Sequence, residues 1–80
     1  MRFFDNDNNK AVKNLTLYLT INEAKELLSD LQANLDNYGK NYHSHIYDES
    51  YNHELTVVLY DKENLKAFDE RSVKLIVNDE

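Results

Sequence analysis

Two alternating segments, residues 42–48 and 53–61, flank the polar residues 49–52 and predict a β-hairpin. Closing the hairpin on this loop pairs Ile46 with Leu55, and directly opposed residues share one face of the sheet. A one-residue slip would turn histidines into the core, so the pattern favours this register. The predicted core face holds Tyr42, Ser44, Ile46, Leu55, Val57 and Leu59. The predicted outer face holds His43, His45, Tyr47, Glu54, Thr56 and Val58.

A long helix is predicted directly before the hairpin. Residues 20–23 match a capping box, in which the Thr20 side chain accepts from the third helical amide and Glu23 reaches back. We expect the helix to run to about Tyr38, with Gly39 in a left-handed C-terminal cap. The predicted apolar stripe consists of Ala24, Leu27, Leu28, Leu31, Leu35 and Tyr38, at spacings that keep one face inward.

The rest of the chain supplies one further strand and an ambiguous C-terminal third. Asn14–Thr20 alternates leucine with polar or tyrosine residues, which predicts a strand with one apolar face. Asp61 is a candidate N-cap for a short helix that would turn Leu65 and Phe68 inward. Residues 72–78 fit either a strand or a continuing helix, and their β-branched content favours the strand slightly.

These elements predict an α+β fold with a small antiparallel sheet of three to four strands. One long helix packs on one face of that sheet, in the order β-α-β-β-α, or β-α-β-β-α-β if the last segment is a strand. The 80 residues are expected to form a single domain, with residues 1–13 as a mobile or edge segment.

Composition limits the classes of function. The chain has 15 acidic and 9 basic residues, a formal net charge of −6, which disfavours nucleic-acid binding and favours a basic protein partner. It has no cysteine, which excludes thiol catalysis and thiolate metal sites. No apolar run is long enough for a signal peptide or a membrane span, so we expect a cytoplasmic protein that does not bind membranes.

The residues that could carry chemistry do not form a recognisable site. In the favoured register His43 and His45 lie on the outer face, whereas His53 lies at the loop and belongs to the other face. Ser44 points away from both neighbouring histidines, and the single glycine excludes a glycine-rich phosphate loop. The sequence therefore predicts a non-enzymatic protein with no metal and no cofactor.

Two surfaces are candidates for binding a protein. The first is the outer sheet face, whose tyrosines and histidines are typical of interfaces. Three roles stay open for it: a homodimer contact, a partner contact, or a face covered by the N-terminal segment with Phe3 and Phe4. The second is an acidic stripe on the helix, continued by Asn34 and Asn37. The predicted binding residues are Tyr18, His43, His45, Tyr47, Glu54 and Tyr60 on the sheet, and Glu23, Glu26 and Asp30 on the helix.

The order LTLYLT-INEAKELLSDL, HSHI and ELTVVLY, over residues 15–60, resembles small bacterial proteins, some of them immunity proteins of polymorphic toxin systems. This resemblance implies a cytoplasmic protein that neutralises a toxin by binding it, and it implies no catalytic residues. We therefore predict an immunity-type inhibitor of a basic toxin. The alternatives are a phage or mobile-element protein that binds a host defence component or a small ligand, and a metal- or pH-responsive domain that uses His43 and His45.

Overall fold

The computed structural model describes residues 1–39 and 43–80 and has an α+β fold. The described chain divides into two compact units, one of residues 1–17 with 62–80 and one of residues 18–61. Each unit contains one helix and one two-stranded antiparallel sheet. The prediction that the 80 residues form one domain stays a prediction.

In the unit of residues 18–61, helix α1 spans Ile21–Asp36 and begins at the predicted capping box. The amide of Glu23 donates to Oγ1 of Thr20 at 3.1 Å, and the amide of Thr20 donates to Oε1 of Glu23 at 2.9 Å. The helix ends earlier than predicted, with Asn37 as its C-cap. The Asn37 side chain donates to the carbonyl of Ala33 at 2.8 Å, and the Asn37 backbone amide donates to the same carbonyl at 3.1 Å, so the side chain caps the last turn of the helix.

The hairpin of this unit pairs β3 (His43–Tyr47) with β4 (Glu54–Val58) in the predicted register. Ile46 lies opposite Leu55 and Ser44 lies opposite Val57, which confirms the expected sorting of these side chains between the two faces. The expected pair of Tyr42 with Leu59 lies outside the described residues.

Helix α1 packs on β3 around a small core. Within the described residues, Ile46 is the only buried apolar side chain, at 4% exposure, and Asn34 of α1 is buried at 2%. Asn34 Nδ2 donates to Ser44 Oγ at 2.9 Å, so a polar pair links the helix to the core face of the hairpin. This pair turns the helix about its axis relative to the predicted orientation, and Leu28 and Leu35 of the predicted stripe are 70% and 61% exposed.

The second unit combines a short hairpin with a C-terminal helix. Strands β1 (Phe3–Asp5) and β2 (Lys10–Val12) are antiparallel, so the segment predicted as mobile or edge structure is a paired hairpin here. Helix α2 spans Glu70–Asn78, and Nε of Arg2 donates to the carbonyls of Leu75 and Ile76 near its end at 3.0 and 3.1 Å.

Residues 72–78, for which the sequence allowed a strand or a helix, belong to helix α2, so the strand alternative is wrong. The helix begins after Asp69, whose side chain accepts from the amide of Ser72 at 3.1 Å. Hydrogen bonds from the Ser72 side chain, and then from its amide, lower the pKa of Asp69. The expected helix start at Asp61 is also wrong, since residues 61–69 contain no helix and form turns, irregular structure and isolated bridge positions at Asp61 and Asn64. Asp69 is better placed than Asp61 to cap this helix, because the residues with helical apolar periodicity, Glu70–Asn78, begin directly after it.

The strand predicted at Asn14–Thr20 is wrong, because residues 14–20 form no helix or strand. Alternation alone does not make a strand, since a strand also needs a hydrogen-bonded neighbour. Leu15 and Leu17 are accordingly about half exposed, at 51% and 50%. The single sheet of three to four strands is replaced by two sheets of two strands each in the described chain.

In residues 1–39 and 43–80, neither helix has both the length and the apolar character that crossing a membrane requires.

Candidate protein-docking face

The outer face of the β3–β4 hairpin brings together four of the predicted binding residues. His43, His45 and Tyr47 project from β3, and Glu54 lies opposite Tyr47 on β4. All four side chains are exposed. Thr56 and Val58 complete the face opposite His45 and His43. We call these six residues the outer hairpin face.

Hydrogen bonds hold the centre of the outer hairpin face. Nδ1 of His45 lies 3.3 Å from Oε2 of Glu54 and 3.1 Å from Oγ1 of Thr56, so it can donate to either oxygen. The ring of His43 contacts that of His45 edge to face, with centroids 5.6 Å apart and planes at 88°. The two imidazoles are therefore positioned by their neighbours although they are exposed to solvent.

Glu54 also contacts Tyr47, the residue directly opposite it. A hydrogen bond from the Tyr47 hydroxyl to the Glu54 carboxylate raises the pKa of Tyr47, and the negative charge of Glu54 adds to the shift. Tyr47 packs against Tyr51 of the loop, with ring centroids 5.8 Å apart. Glu54 thus links an imidazole on one side to a phenol on the other.

The hairpin loop is organised by one carboxylate, Asp48. Its Oδ1 accepts from the amides of Asn52 and His53, at 2.8 and 3.2 Å. Its Oδ2 lies 2.6 Å from Nδ1 of His53. These bonds, led by the one to the His53 side chain, lower the pKa of Asp48 to about 2. The loop holds Tyr51 in the left-handed region, at a φ of 57°.

The low pKa of Asp48 predicts an acid-sensitive contribution to stability. An unfolded aspartate titrates near 3.9, so the charged carboxylate favours the folded state above about pH 4, and this contribution is lost as the pH falls from about 4 to about 2. We expect Asp48→Asn to lower the melting temperature at pH 6, with the difference from wild type shrinking over that window. Thermal melts from pH 6 to pH 2 measure it.

Glu49→Gln is the matched control, because it removes the adjacent loop carboxylate and leaves the Asp48 network intact. A difference between wild type and Asp48→Asn that does not change between pH 4 and pH 2 would contradict the role of the Asp48 carboxylate.

The histidines do not converge in the structure. His53 contacts Asp48 in the loop, while His43 and His45 lie on the outer hairpin face. Across the described residues, no three His, Cys, Asp or Glu side chains are grouped as a metal site would need. A tetrahedral zinc site uses three or four protein ligands, so the pair of histidines supplies at most part of one.

Two predicted members of the sheet face lie elsewhere. Tyr18 lies in the irregular segment before α1 and is 90% exposed. Tyr60 lies two residues beyond the end of β4 and is half-buried. Their assignment to the outer face is wrong because it depended on a strand at residues 14–20 and on a longer fourth strand.

The predicted acidic stripe on α1 is also divided. Glu26 is exposed, but Glu23 and Asp30 are half-buried, and Glu23 is engaged in the capping box. Asn34, predicted to continue the stripe, is the most buried residue of the helix and faces β3. These residues therefore do not form one solvent-facing strip.

One residue of the candidate site was missed by the sequence analysis. Tyr51 is 79% exposed and stacks against Tyr47 at the loop end of the outer hairpin face. Tyr51 could not be assigned to the face from the sequence, because it lies in a polar loop and strand alternation does not predict where loop side chains point. An aromatic residue among loop-forming residues was the signal available.

No family model matches the chain, and the searches of curated proteins and of solved structures find no similar protein. The resemblance to immunity-type proteins over residues 15–60 stays a prediction. The geometry of the outer hairpin face and the charge of the chain are the features that bear on function.

Proposed function

We propose that this is a non-enzymatic binding protein of the immunity type, which acts in the cytoplasm and neutralises a basic toxin by direct contact through the outer hairpin face. The observation that carries the proposal is the exposure of His43, His45 and Tyr47 together on one face of a paired hairpin. Tyrosine is enriched at interface hot spots because its ring supplies contact area and its hydroxyl supplies a hydrogen bond.

The preorganisation of the face supports binding. The His45 ring is positioned by Glu54 and Thr56, and the Tyr47 ring is positioned by Glu54 and Tyr51. Side chains that are already oriented lose less conformational entropy when a partner arrives. This favours a docking surface over a set of unrelated exposed residues.

The charge of the hairpin supports a basic partner. Residues 43–58 contain three carboxylates, Asp48, Glu49 and Glu54, and no lysine or arginine. The whole chain carries a formal charge of −6. A basic protein would be drawn to such a surface, and complementary charge raises association rates and selects against acidic proteins.

Capture of the partner tests the proposal. Tagged protein, expressed in its source cell, is expected to retain a basic protein that arrests growth when produced alone, and co-expression of this chain is expected to restore growth. Tyr47→Ala should weaken the purified complex by at least about tenfold, as expected for an aromatic residue that anchors an interface.

Tyr18→Ala is the matched control, since Tyr18 is an exposed tyrosine that lies off the outer hairpin face. It should change the affinity by less than about twofold. A captured protein that is acidic or harmless, or an affinity that depends on Tyr18 and not on Tyr47, would overturn the proposal.

A second candidate, the metal- or pH-responsive domain, has one observation in its favour. The rings of His43 and His45 lie with centroids 5.6 Å apart, and Glu54 contacts Nδ1 of His45 as a carboxylate does behind many zinc-bound histidines. This function predicts that zinc raises the melting temperature and that His43→Ala abolishes the effect. The proposed toxin-binding function predicts no dependence on zinc.

A further inference from the structure

Helix α1 leaves a row of aliphatic side chains in solvent. Ile21, Leu28 and Leu35 are 75%, 70% and 61% exposed, and they recur every seven residues. Ala24 is exposed between the first two. A seven-residue apolar repeat is the pattern by which one helix packs along another. We call these four residues the α1 seam.

The α1 seam is separate from the surface that α1 uses within its own unit. Asn34 and the half-buried Leu27 lie on the side of the helix that faces the hairpin. The hydrogen bond between Asn34 and Ser44 fixes that side. The rotation of the helix toward Ser44 is what leaves Leu28 and Leu35 exposed. Isolated exposed leucines are ordinary, but three in register along one helix are not.

The spacing of the α1 seam is self-complementary. Ile21 and Leu35 are equally far from Leu28, about 10 Å along the helix axis. If two copies lie antiparallel across a two-fold axis at Leu28, then Leu28 meets Leu28 of the second copy, and Ile21 meets Leu35 of the second copy. A two-fold interface requires this kind of symmetric matching.

The charges beside the α1 seam favour the antiparallel arrangement. Lys25 and Gln32 lie along one edge of the seam, followed by Asp36, whose carboxylate accepts from Gln32 at 2.9 Å. In the antiparallel pair, Lys25 lies beside Gln32 of the second copy. Lys25 is then on the same edge of the contact as Asp36 of the second copy, which has the opposite charge. In a parallel two-fold pair the two Lys25 side chains would lie on opposite edges of the contact, and Lys25 would face the edge of the second copy that carries Leu27 and Asn34 instead of the edge that carries Asp36.

The carboxylates of Glu26 and Asp30 would not oppose this contact, because they lie on other sides of the helix at 100° per residue. Self-association therefore places no acidic pair at the centre of the interface, even though the chain has a net charge of −6.

We propose that the protein forms a homodimer through an antiparallel pairing of its α1 seam. The helix of 16 residues is about 24 Å long, so the contact buries on the order of 1,000 Å² in total, at the lower limit for a specific interface. The dimer is accordingly weak, with a Kd on the order of micromolar to tens of micromolar. This moves the self-contact from the outer sheet face, where the sequence analysis considered it, and leaves the outer hairpin face free for another protein.

Sedimentation of the whole chain between about 1 µM and about 500 µM tests the association, since that range brackets the expected Kd. The wild type should shift from monomer to dimer. Leu28→Lys should raise the Kd by roughly 100-fold or more, because it replaces two facing apolar groups with two like charges. Leu28 is 70% exposed in the monomer, so the far-UV circular dichroism spectrum of this variant should remain that of the wild type.

Single cysteines test the geometry in a chain that has none of its own. Leu28→Cys should form a disulfide-linked dimer rapidly under mild oxidation, because the two residues meet on the two-fold axis. Ile21→Cys should not, since the two positions would lie about 21 Å apart along the axis, beyond the reach of a disulfide. Ser29→Cys is the matched control, an exposed neighbour of Leu28 that lies off the α1 seam.

Each contrary result overturns the proposal. A wild type that stays monomeric throughout the range excludes the dimer. An unchanged Kd in Leu28→Lys, or a lower melting temperature of its monomer, shows that the α1 seam has another role. Crosslinking of Ile21→Cys as rapid as that of Leu28→Cys excludes the antiparallel pairing.

Discussion

Replacing Ile46 with alanine is expected to lower the free energy of unfolding by about 2–4 kcal/mol, the range for removing a large aliphatic side chain from a core. Ile46 is 4% exposed and is the only buried apolar side chain in the described chain. At about 0.05–0.15 kcal/mol per residue, 80 residues give a total stability of about 4–12 kcal/mol, so this one change removes a large fraction of it. Urea denaturation followed by circular dichroism measures the loss.

Val58→Ala is the control for Ile46→Ala. Val58 is another β-branched residue of the same hairpin, but it lies on the outer hairpin face and is 43% exposed. We expect a loss below about 1 kcal/mol, since nearly half of Val58 is already exposed to solvent and the change removes less buried apolar area than at Ile46. Equal losses at the two positions would show that the hairpin does not bury the face that carries Ile46.

The polar pair of Asn34 and Ser44 is expected to give the second large effect. Asn34→Ala should cost about 1.5–3 kcal/mol, because it removes a buried hydrogen bond and leaves the half-buried Ser44 hydroxyl without this partner. Replacing both partners with apolar residues, as in Asn34→Leu with Ser44→Ala, should be close to neutral or stabilising, since no unsatisfied polar group is left.

A double-mutant cycle separates these contributions. Asn34→Ala, Ser44→Ala and the double variant are compared by urea denaturation. Residues in direct contact show coupling of about 0.5–3 kcal/mol, and we expect the two changes to be less than additive. Additive losses would mean that Asn34 and Ser44 do not share the bond, and the account of the α1 rotation would be wrong.

The start of α1 and the register of β3 with β4 could be predicted because both are encoded locally. Thr20 and Glu23 lie three residues apart, and Ile46 and Leu55 lie on either side of one loop. A short loop fixes which residues of the two strands lie opposite each other, so the residues on each face of the hairpin can be predicted from the sequence.

The orientation of α1 and the identity of the C-terminal segment could not be predicted because they depend on distant partners. Asn34 reads as a solvent-facing residue until its bond to Ser44 is known. Helix α2 is supported by Arg2, which lies at the opposite end of the chain and donates to the carbonyls of Leu75 and Ile76. Neither contact leaves a periodic signal in the sequence.

The candidate site could likewise be predicted only where local sequence determines it. His43, His45 and Tyr47 were assigned to the outer hairpin face because they share the local alternation of β3. Tyr18 and Tyr60 were wrongly added because their placement required further strand pairing that residues 14–20 do not make. The local part of the site is thus recovered from sequence, and the part that depends on sheet assembly is not.

Nuclear magnetic resonance of the free protein tests the central claim most directly: the hairpin turns imidazole and phenol groups outward and aliphatic groups toward α1. The account predicts Hα–Hα contacts between His45 and Thr56 and between Tyr47 and Glu54, because these are the closely spaced pairs of the observed register. A soluble paramagnetic agent should broaden the ring signals of His45 and Tyr47 and spare the methyl groups of Ile46. Cross-strand contacts shifted by one residue, or imidazoles protected while Ile46 is broadened, would contradict it.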